Sequence, residues 1–182
     1  MLNREERHSL LALARDTIQA RLGRKSLPVF NPRSEALKEL RGAFVTVHKK
    51  GKLRGCIGYV EAIKPLHQTV QEMAVAAAFQ DPRFPPLAPA EFGDIDIEIS
   101  VMSPVRRIRS VNEIEVGMHG IIIKRGYNQG LLLPQVAAEQ GWDRDTFLEH
   151  TCYKAGLPGD CWKKPDTEIY VFSAEVFSEK EH

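Results

Sequence analysis

The chain has 182 residues, of which 43% are hydrophobic and 27% charged, an ordinary composition for a soluble globular protein. Its 25 basic and 24 acidic residues nearly cancel, which argues against a surface for nucleic acid or anionic membrane. No apolar run reaches the ~18 residues of a membrane span, and the charged start at residues 3–8 is unlike a signal peptide. The low, odd number of three cysteines predicts reduced thiols in a cytoplasm rather than a disulfide framework.

The first half of the chain alternates helical and strand patterns. Asn3 and Glu6 have the spacing of a capping box, which predicts a helix that begins at residue 4. The predicted elements are a helix over 4–22, a short helix from Ser34, strands over 42–48 and 53–60 joined by a turn at 49–52, a helix opened by Pro65, and a strand over 94–103.

The second half repeats the order of hairpin, proline and helix. Its predicted elements are a hairpin over 120–133, a helix from Pro134 to Gly141, a helix capped by Asp143 that stops at Gly156, and a strand over 168–177. The repeat at 42–79 and 120–140 predicts an α+β fold with a mostly antiparallel sheet. No low-complexity linker separates the copies, so we expect one domain over 1–182 with a shared core and, within it, a smaller lobe around 80–115.

The segment Leu53-Arg54-Gly55-Cys56-Ile57-Gly58 places a thiol beside a cation, between two glycines of a predicted strand. The glycines indicate a bend in the strand or a close approach to its backbone. A symmetric hairpin would put Cys56 opposite Val45 and Arg54 opposite Val47, in a central strand with apolar faces. A buried arginine requires an anionic partner, and the acidic face of residues 94–100 predicts an ion pair between Arg54 and Glu98.

Cys56 is open to three interpretations. As a nucleophile it would need a base, and the candidates are His48, His67 and His119, of which His119 lies at the entrance of a strand. It could instead be a ligand-contacting or redox-sensitive thiol. The third interpretation is a small buried residue beside closely packed backbone.

Two other segments contain residue types that are typical of functional sites. His150, Cys152 and Cys161 do not predict a metal centre, because residues two apart on a helix do not face each other and a closed zinc site needs four ligands. The proline-rich segment 81–86 displays Arg83 and Phe84, which suits either a cleft rim that binds a partner or a rigid connector with Arg83 paired to Asp81. No cofactor is predicted.

Together these segments resemble the AMMECR family, known in prokaryotes as AmmeMemoRadiSam system protein A. The resemblance runs from about residue 5 to residue 177. The matching segments are Leu53–Gly58, Ala76–Leu87, His119–Gly120, Gly130–Ala137 and Phe147–Pro158.

The resemblance implies an α+β domain with two related hairpin–helix repeats around one barrel-like sheet. It also implies partners: a Memo-like protein and a radical S-adenosylmethionine enzyme. Two functions follow as alternatives. One is an accessory or substrate-presenting module that uses a cleft lined by Arg54, Gly55, Gly58, Arg83 and Glu98. The other is a cofactor-free enzyme with Cys56 as nucleophile, His119 as base, and Arg54 or backbone amides stabilising an anion.

Overall fold

The computed structural model describes residues 1–181. The chain divides into two units. The first consists of residues 1–102 and the segment that returns at Glu175, and the second consists of residues 103–174.

The first unit contains two long helices and a three-stranded antiparallel sheet. Its elements are α1 (Arg4–Leu22), β1 (Ala43–Lys49), β2 (Lys52–Tyr59), α2 (Leu66–Phe79) and β3 (Ile95–Met102), with a short 3₁₀ turn at Glu35–Leu37 and another at Pro89–Asp94. β1 lies between β2 and β3 and pairs antiparallel with both. The capping box of Asn3 and Glu6 is present, so the predicted helix over 4–22 is confirmed.

One face of this sheet is covered by the helices. The alternating residues Ile95, Ile97 and Ile99 of β3 are buried and belong to the same apolar cluster as Val45 and Val47 of β1. α2 contacts β1 and β2, whereas α1 contacts α2 and β3. Each large aliphatic side chain buried in this way contributes about 1.5–3 kcal/mol to folding. The apolar face predicted for residues 95–101 is therefore the core face.

The returning segment fastens α1. The Glu175 carboxylate accepts hydrogen bonds from the Arg7 guanidinium at 2.7 Å and from the backbone N–H of Leu2 at 3.1 Å. Glu179 binds Arg15 of α1 and also accepts from the backbone N–H of Ile97 at 2.8 Å. The first helix is thus held by carboxylates from the far end of the sequence.

The second unit contains antiparallel strands and a second apolar cluster. Its elements are β4 (Arg106–Arg107), β5 (His119–Arg125), β6 (Asn128–Leu132), α3 (Pro134–Gln140), α4 (Arg144–Lys154) and most of β7 (Glu168–Ser178), with 3₁₀ turns at Val111–Glu113 and Cys161–Lys163. β5 pairs with β6 and β7, and β4 pairs with β7. The two ends of the unit are joined, since the N–H of Ser103 donates to the carbonyl of Ser173 and the N–H of Ser173 donates to Ser103 Oγ, both at 2.8 Å.

The hairpin–helix repeat is confirmed, with β1, β2 and α2 in the first unit and β5, β6 and α3 in the second. The α+β class and the antiparallel pairing are also as predicted. The buried apolar residues form two clusters, one in each unit, and not the single shared core that the absence of a linker suggested. The second boundary between the units lies inside β7, between residues 174 and 175. A boundary inside a strand has no linker composition, so the sequence does not reveal it.

Gly55 is required by the contact between β2 and α2. A Cβ atom added at Gly55 would overlap the carbonyl oxygen of Ala77, because α2 lies directly against the backbone of β2 at this point. Of the two alternatives for the glycines of this strand, a bend or a close backbone approach, Gly55 shows the close approach. Gly58, which pairs with Phe44 of β1, is similarly enclosed by the backbone of Ala43.

Substituting Gly55 with alanine should lower the free energy of unfolding by about 1–3 kcal/mol, because helix or strand must shift to admit the methyl group. The matched control is Gly93→Ala, where nothing lies within 4 Å of the new Cβ and the change should stay within about 0.5 kcal/mol. Denaturant unfolding of the two variants measures the difference. Equal stabilities would contradict the close approach of α2 to β2.

Candidate functional site

A β-bulge lies inside the glycine–cysteine segment. Next to the turn the strands pair as a symmetric hairpin predicts, but Arg54 is then left out as an extra residue and Cys56 pairs with Thr46. The predicted positions of Cys56 opposite Val45 and of Arg54 opposite Val47 are therefore wrong. A bulge shifts the register by one residue, which exchanges the two faces of a strand.

β2 is an edge strand and not the central strand that its apolar faces suggested. Within residues 1–102 of the described chain it pairs with β1 alone. Its free edge is covered by residues 81–87, which we call the arginine loop. The side chain of Asp81 accepts a hydrogen bond from the backbone N–H of Cys56 at 3.0 Å, so a side chain satisfies the donor that a neighbouring strand would otherwise bind.

Asp81 is the hub of this contact. Its side chain is 2% exposed and also accepts from Arg83: from the backbone N–H and Nε at 3.0 Å each, and from Nη2 at 2.8 Å. The hydrogen bonds from the Arg83 guanidinium, followed by those from the two backbone amides, hold the pKa of Asp81 far below its ordinary value. The pairing of Arg83 with Asp81, one of the two alternatives for this segment, is present.

Arg54 binds Glu91 and not Glu98. Its Nε and Nη2 atoms donate to the two Glu91 oxygens at 3.1 and 3.0 Å, in the bidentate geometry typical of strong arginine–carboxylate pairs. Glu91 also accepts from Lys49 Nζ at 2.8 Å and from the N–H of Ala88 at 2.9 Å. These bonds, that of Arg54 above all, lower the pKa of Glu91 to about 2.

The arginine loop presents its middle to solvent. Pro82, Pro85 and Pro86 are exposed. Asp81 and Leu87, at the two ends of the loop, are buried, with 4% of each residue exposed. The N–H of Leu87 donates to the carbonyl of Ala78 at 2.8 Å, which fixes the second end to α2. The exposed prolines are thus held between two anchors.

Both arginines lie close to one aromatic ring. The guanidinium carbons of Arg54 and Arg83 are 5.9 and 5.5 Å from the centroid of the Phe84 ring, within the range of cation–π attraction. The Arg83 side chain is 56% exposed, whereas that of Arg54 is 11% exposed. The structure thus brings together Arg54, Gly55, Cys56 and Arg83 of the predicted site.

The thiol of Cys56 belongs to a polar row across three strands. Thr46 Oγ1 donates to Cys56 Sγ at 3.2 Å, and Thr46 is paired on its other side with Glu98 of β3. Cys56 is a free, half-buried cysteine, and Glu98 has no ion-pair partner among the described residues. Glu98 therefore lies on the opposite side of Thr46 from Cys56, while Arg54 is bound by Glu91.

The candidate bases have different surroundings. His48 lies two residues from Thr46 on β1, opposite Asp96 in the strand register of β1 and β3. His67 binds the carbonyl of Leu37 through Nδ1 at 2.9 Å. His119 belongs to the second unit, where its Nδ1 accepts from the N–H of Glu115 at 3.0 Å. Within residues 1–181, none of these histidines has a hydrogen bond to Cys56.

Cys152 and Cys161 form a disulfide, with their Cα atoms 5.9 Å apart. The prediction that the cysteines stay reduced is therefore wrong for this pair. A separation of nine residues is enough because α4 ends beyond Cys152 and the chain turns back through Gly156, which has a φ of +74°. His150 stacks on Trp142 with the ring centroids 4.0 Å apart, so its role is aromatic packing at the helix surface.

Two residues that the sequence did not single out complete the site. Thr46 is hidden in an apolar strand, and only the bulge brings it opposite Cys56. Glu91 had a local signal, since a glutamate three residues after Ala88 can cap a helical turn, as it does here. That spacing could have indicated an ordered carboxylate, although not its contact with Arg54.

The comparisons with known proteins agree with this architecture. The AMMECR1 family model matches residues 11–177. The chain belongs to the AMMECR1 family. It is 46% identical to a protein of Methanothermobacter thermautotrophicus over 185 residues, which cover 98% of this chain and 96% of the relative. A protein of Methanopyrus kandleri is 48% identical over 189 residues, with 99% and 91% of the two chains covered.

The fold is also similar to a solved structure. The crystal structure of an uncharacterised protein from Pyrococcus horikoshii matches this chain with a TM-score of 0.81 and 40% sequence identity. The match covers 94% of this chain and 90% of the Pyrococcus chain. Across residues 1–181, no helix combines the length and the hydropathy needed to cross a membrane. Membership of the family supports the fold, and the activity has to be argued from the site.

Replacing Glu91 with glutamine should destabilise the protein by about 1–2 kcal/mol at neutral pH, because charge-assisted bonds to Arg54 and Lys49 are weakened. The pKa of Glu91 is lowered from 4.5 to about 2 in the folded protein. Its ionised form therefore stabilises the fold above about pH 4.5, and this contribution disappears as the pH falls through about 2. The difference between wild type and Glu91→Gln, measured by chemical unfolding, should shrink over that range.

The matched control is Glu98→Gln, the same change in the same unit at a carboxylate without an ion pair. It should alter stability by no more than about 0.5 kcal/mol. If Glu98→Gln were the more destabilising variant, the assignment of Glu91 as the partner of Arg54 would be refuted.

The disulfide fixes how many cysteine thiols should react before and after reduction. The denatured, unreduced protein should react with one equivalent of a thiol reagent, at Cys56, and the reduced protein with three. Reduction should also lower stability by about 2–3 kcal/mol for a closed loop of this size. Three reactive thiols in protein purified without reductant and protected from oxidation would contradict the bond.

Proposed function

We propose that this chain is an accessory module that binds partner enzymes through the arginine loop and presents a substrate or a protein segment to them. The observation that carries the proposal is the loop itself: an exposed, proline-rich stretch held at both ends by buried residues. The partners implied by the family resemblance are a Memo-like protein and a radical S-adenosylmethionine enzyme, with the complex in the cytoplasm.

The loop suits recognition because it is ordered before any partner binds. Three prolines restrict its backbone, and the contacts of Asp81 and Leu87 hold its ends. A segment fixed in this way loses little conformational entropy on association. Arginine and aromatic residues, here Arg83 and Phe84, are the types most often responsible for binding energy at protein interfaces.

The charges of the arginine loop, taken together with those of the Arg54–Glu91–Lys49 ion pairs beside it, favour an acidic partner surface. Lys49, Arg54 and Arg83 contribute three positive charges, whereas Glu91 and Asp81 contribute two negative ones. The exposed member is Arg83, whose side chain is 56% exposed while Asp81 holds its orientation. A carboxylate-bearing segment on the partner would complement this surplus.

The second candidate is the cofactor-free enzyme with Cys56 as nucleophile, and one observation favours it. A hydroxyl donor on the thiol, here Thr46 at 3.2 Å, would stabilise a thiolate. Against it, the N–H of Cys56 is bound by Asp81 and is not free to stabilise an oxyanion. Arg54 is likewise engaged by Glu91. Because these donors are engaged, the module is the first candidate function and the enzyme the second.

Replacing Phe84 with alanine should weaken binding of the Memo-like partner by at least about tenfold, as expected for an aromatic residue at the centre of an interface. The matched control is Tyr127→Ala, which removes a fully exposed ring from a turn of the second unit and should leave the affinity unchanged. Surface plasmon resonance with the purified partner measures both. Equal affinities of Phe84→Ala and wild type would remove the arginine loop from the interface.

Alkylation of Cys56 separates the two candidates. The module predicts that iodoacetamide reacts with Cys56 no faster than with glutathione, and that Cys56→Ala retains partner binding. Reaction more than about tenfold faster than with glutathione would indicate an activated nucleophile and favour the enzyme.

A further inference from the structure

We propose that the second unit carries a binding site for a small organic phosphate with a flat ring, of the mononucleotide class. The site is a cleft of about 660 Å³ between the segment 107–111 and the segment 162–169, which we call the cationic cleft. Its volume lies within the range usual for small-molecule sites. The proposal is independent of the arginine loop and of the partner enzymes.

The cleft has a single sign of charge. Arg107, Arg109 and Lys164 line it, and the described residues that line it include no aspartate or glutamate. Around one cavity, three cationic side chains match a polyanion such as a diphosphate better than a single carboxylate. Arginine is well suited to this task because its planar guanidinium binds phosphate oxygens in pairs.

These cations remain available to a ligand. The guanidinium of Arg109 has no carboxylate partner in the described chain, and only its backbone N–H donates to Glu113, at 2.9 Å. Arg107 is 3.3 Å from Glu168 and Lys164 is 3.6 Å from Asp160, and all four of these side chains are at least 41% exposed. Exposed ion pairs at such separations contribute little and exchange readily.

Two of three neighbouring arginines reach the cleft. Arg106 and Arg107 form the short strand β4, and Arg109 follows it in a bend. Arg107 and Arg109 line the cleft, whereas Arg106 binds Glu113 at 2.7 Å outside it. The sequence Arg106–Arg109 therefore contains its own control residue.

The cleft also offers an aromatic wall on an apolar floor. Trp162 is half-buried and packs against the second apolar cluster. Ile108 and Ile169 are 7% and 8% exposed, and the hydrogen bond from Ile108 N–H to the Ile169 carbonyl, at 3.0 Å, ties the two walls together. An indole beside clustered cations is the arrangement that binds a base and its phosphates together.

The wall that carries Trp162 is held in place covalently. Cys161, the residue before it, is bonded to Cys152 of α4, and Thr167 Oγ1 donates to the Cys161 carbonyl at 2.6 Å. A cleft whose walls are fixed in advance needs little reorganisation to bind a small ligand.

Titration of the full chain with ADP, followed by isothermal calorimetry, tests the proposal. We expect saturable binding with a Kd of about 1 mM or tighter, and binding at least about tenfold weaker for adenosine or for pyrophosphate alone, since each offers only half of the contacts. Arg109→Gln should weaken ADP binding at least about tenfold, and Arg106→Gln, with the same change in charge, less than about twofold. Lys164→Gln provides a second variant at an exposed position and should act like Arg109→Gln.

Several results would overturn the site. If ADP binding does not saturate at concentrations well above about 1 mM, the site is excluded. Equal losses for Arg106→Gln and Arg109→Gln indicate non-specific attraction to the surface charge. Pyrophosphate that binds as tightly as ADP excludes a role for the ring, and a short single-stranded oligonucleotide that binds while ADP does not identifies a nucleic-acid surface instead.

Discussion

The buried carboxylate of Asp81 is the constraint on which the first unit's candidate site depends. An edge strand leaves backbone donors without partners, and a loop of prolines has few donors of its own to hold it in place. One side chain resolves both problems, since it binds the amide of Cys56 and the backbone and guanidinium of Arg83. Removing it would leave the Arg83 guanidinium without its carboxylate and the N–H of Cys56 without its acceptor at the same time.

Arg54 has a different role from the one its position beside Cys56 suggested. The bulge directs it towards Glu91 in the 3₁₀ turn before β3, so that it fastens the segment after the arginine loop just as Asp81 fastens its beginning. The exposed prolines therefore lie between two fixed points, the Asp81 carboxylate before them and the Arg54–Glu91 ion pair after them. Arg54 and Cys56 are close in sequence, which suggested a reactive thiol. In the structure the Arg54 side chain binds Glu91, whereas the Cys56 thiol accepts a hydrogen bond from Thr46 of the sheet.

The helices and strands could be predicted from the sequence because their signals are local. The capping box of Asn3, the alternation of Ile95 to Val101 and the prolines that open α2 and α3 each act over a few residues. The pairing of Arg54, the edge position of β2 and the bond between Cys152 and Cys161 could not, because each depends on which segments meet. A one-residue bulge was enough to exchange the partners of Cys56 while leaving the strand boundaries unchanged. The near-zero net charge likewise concealed the grouping of Arg107, Arg109 and Lys164, since a sum over the whole chain carries no positions.

The carboxylates that fasten α1 have a consequence for synthesis on the ribosome. α1 emerges first, yet Glu175 and Glu179 emerge after the whole second unit has been made. The second unit is continuous in sequence and its ends are joined to each other. It interrupts the first unit in the sequence, so the contacts that fasten α1 cannot form until the residues of the second unit have been synthesised.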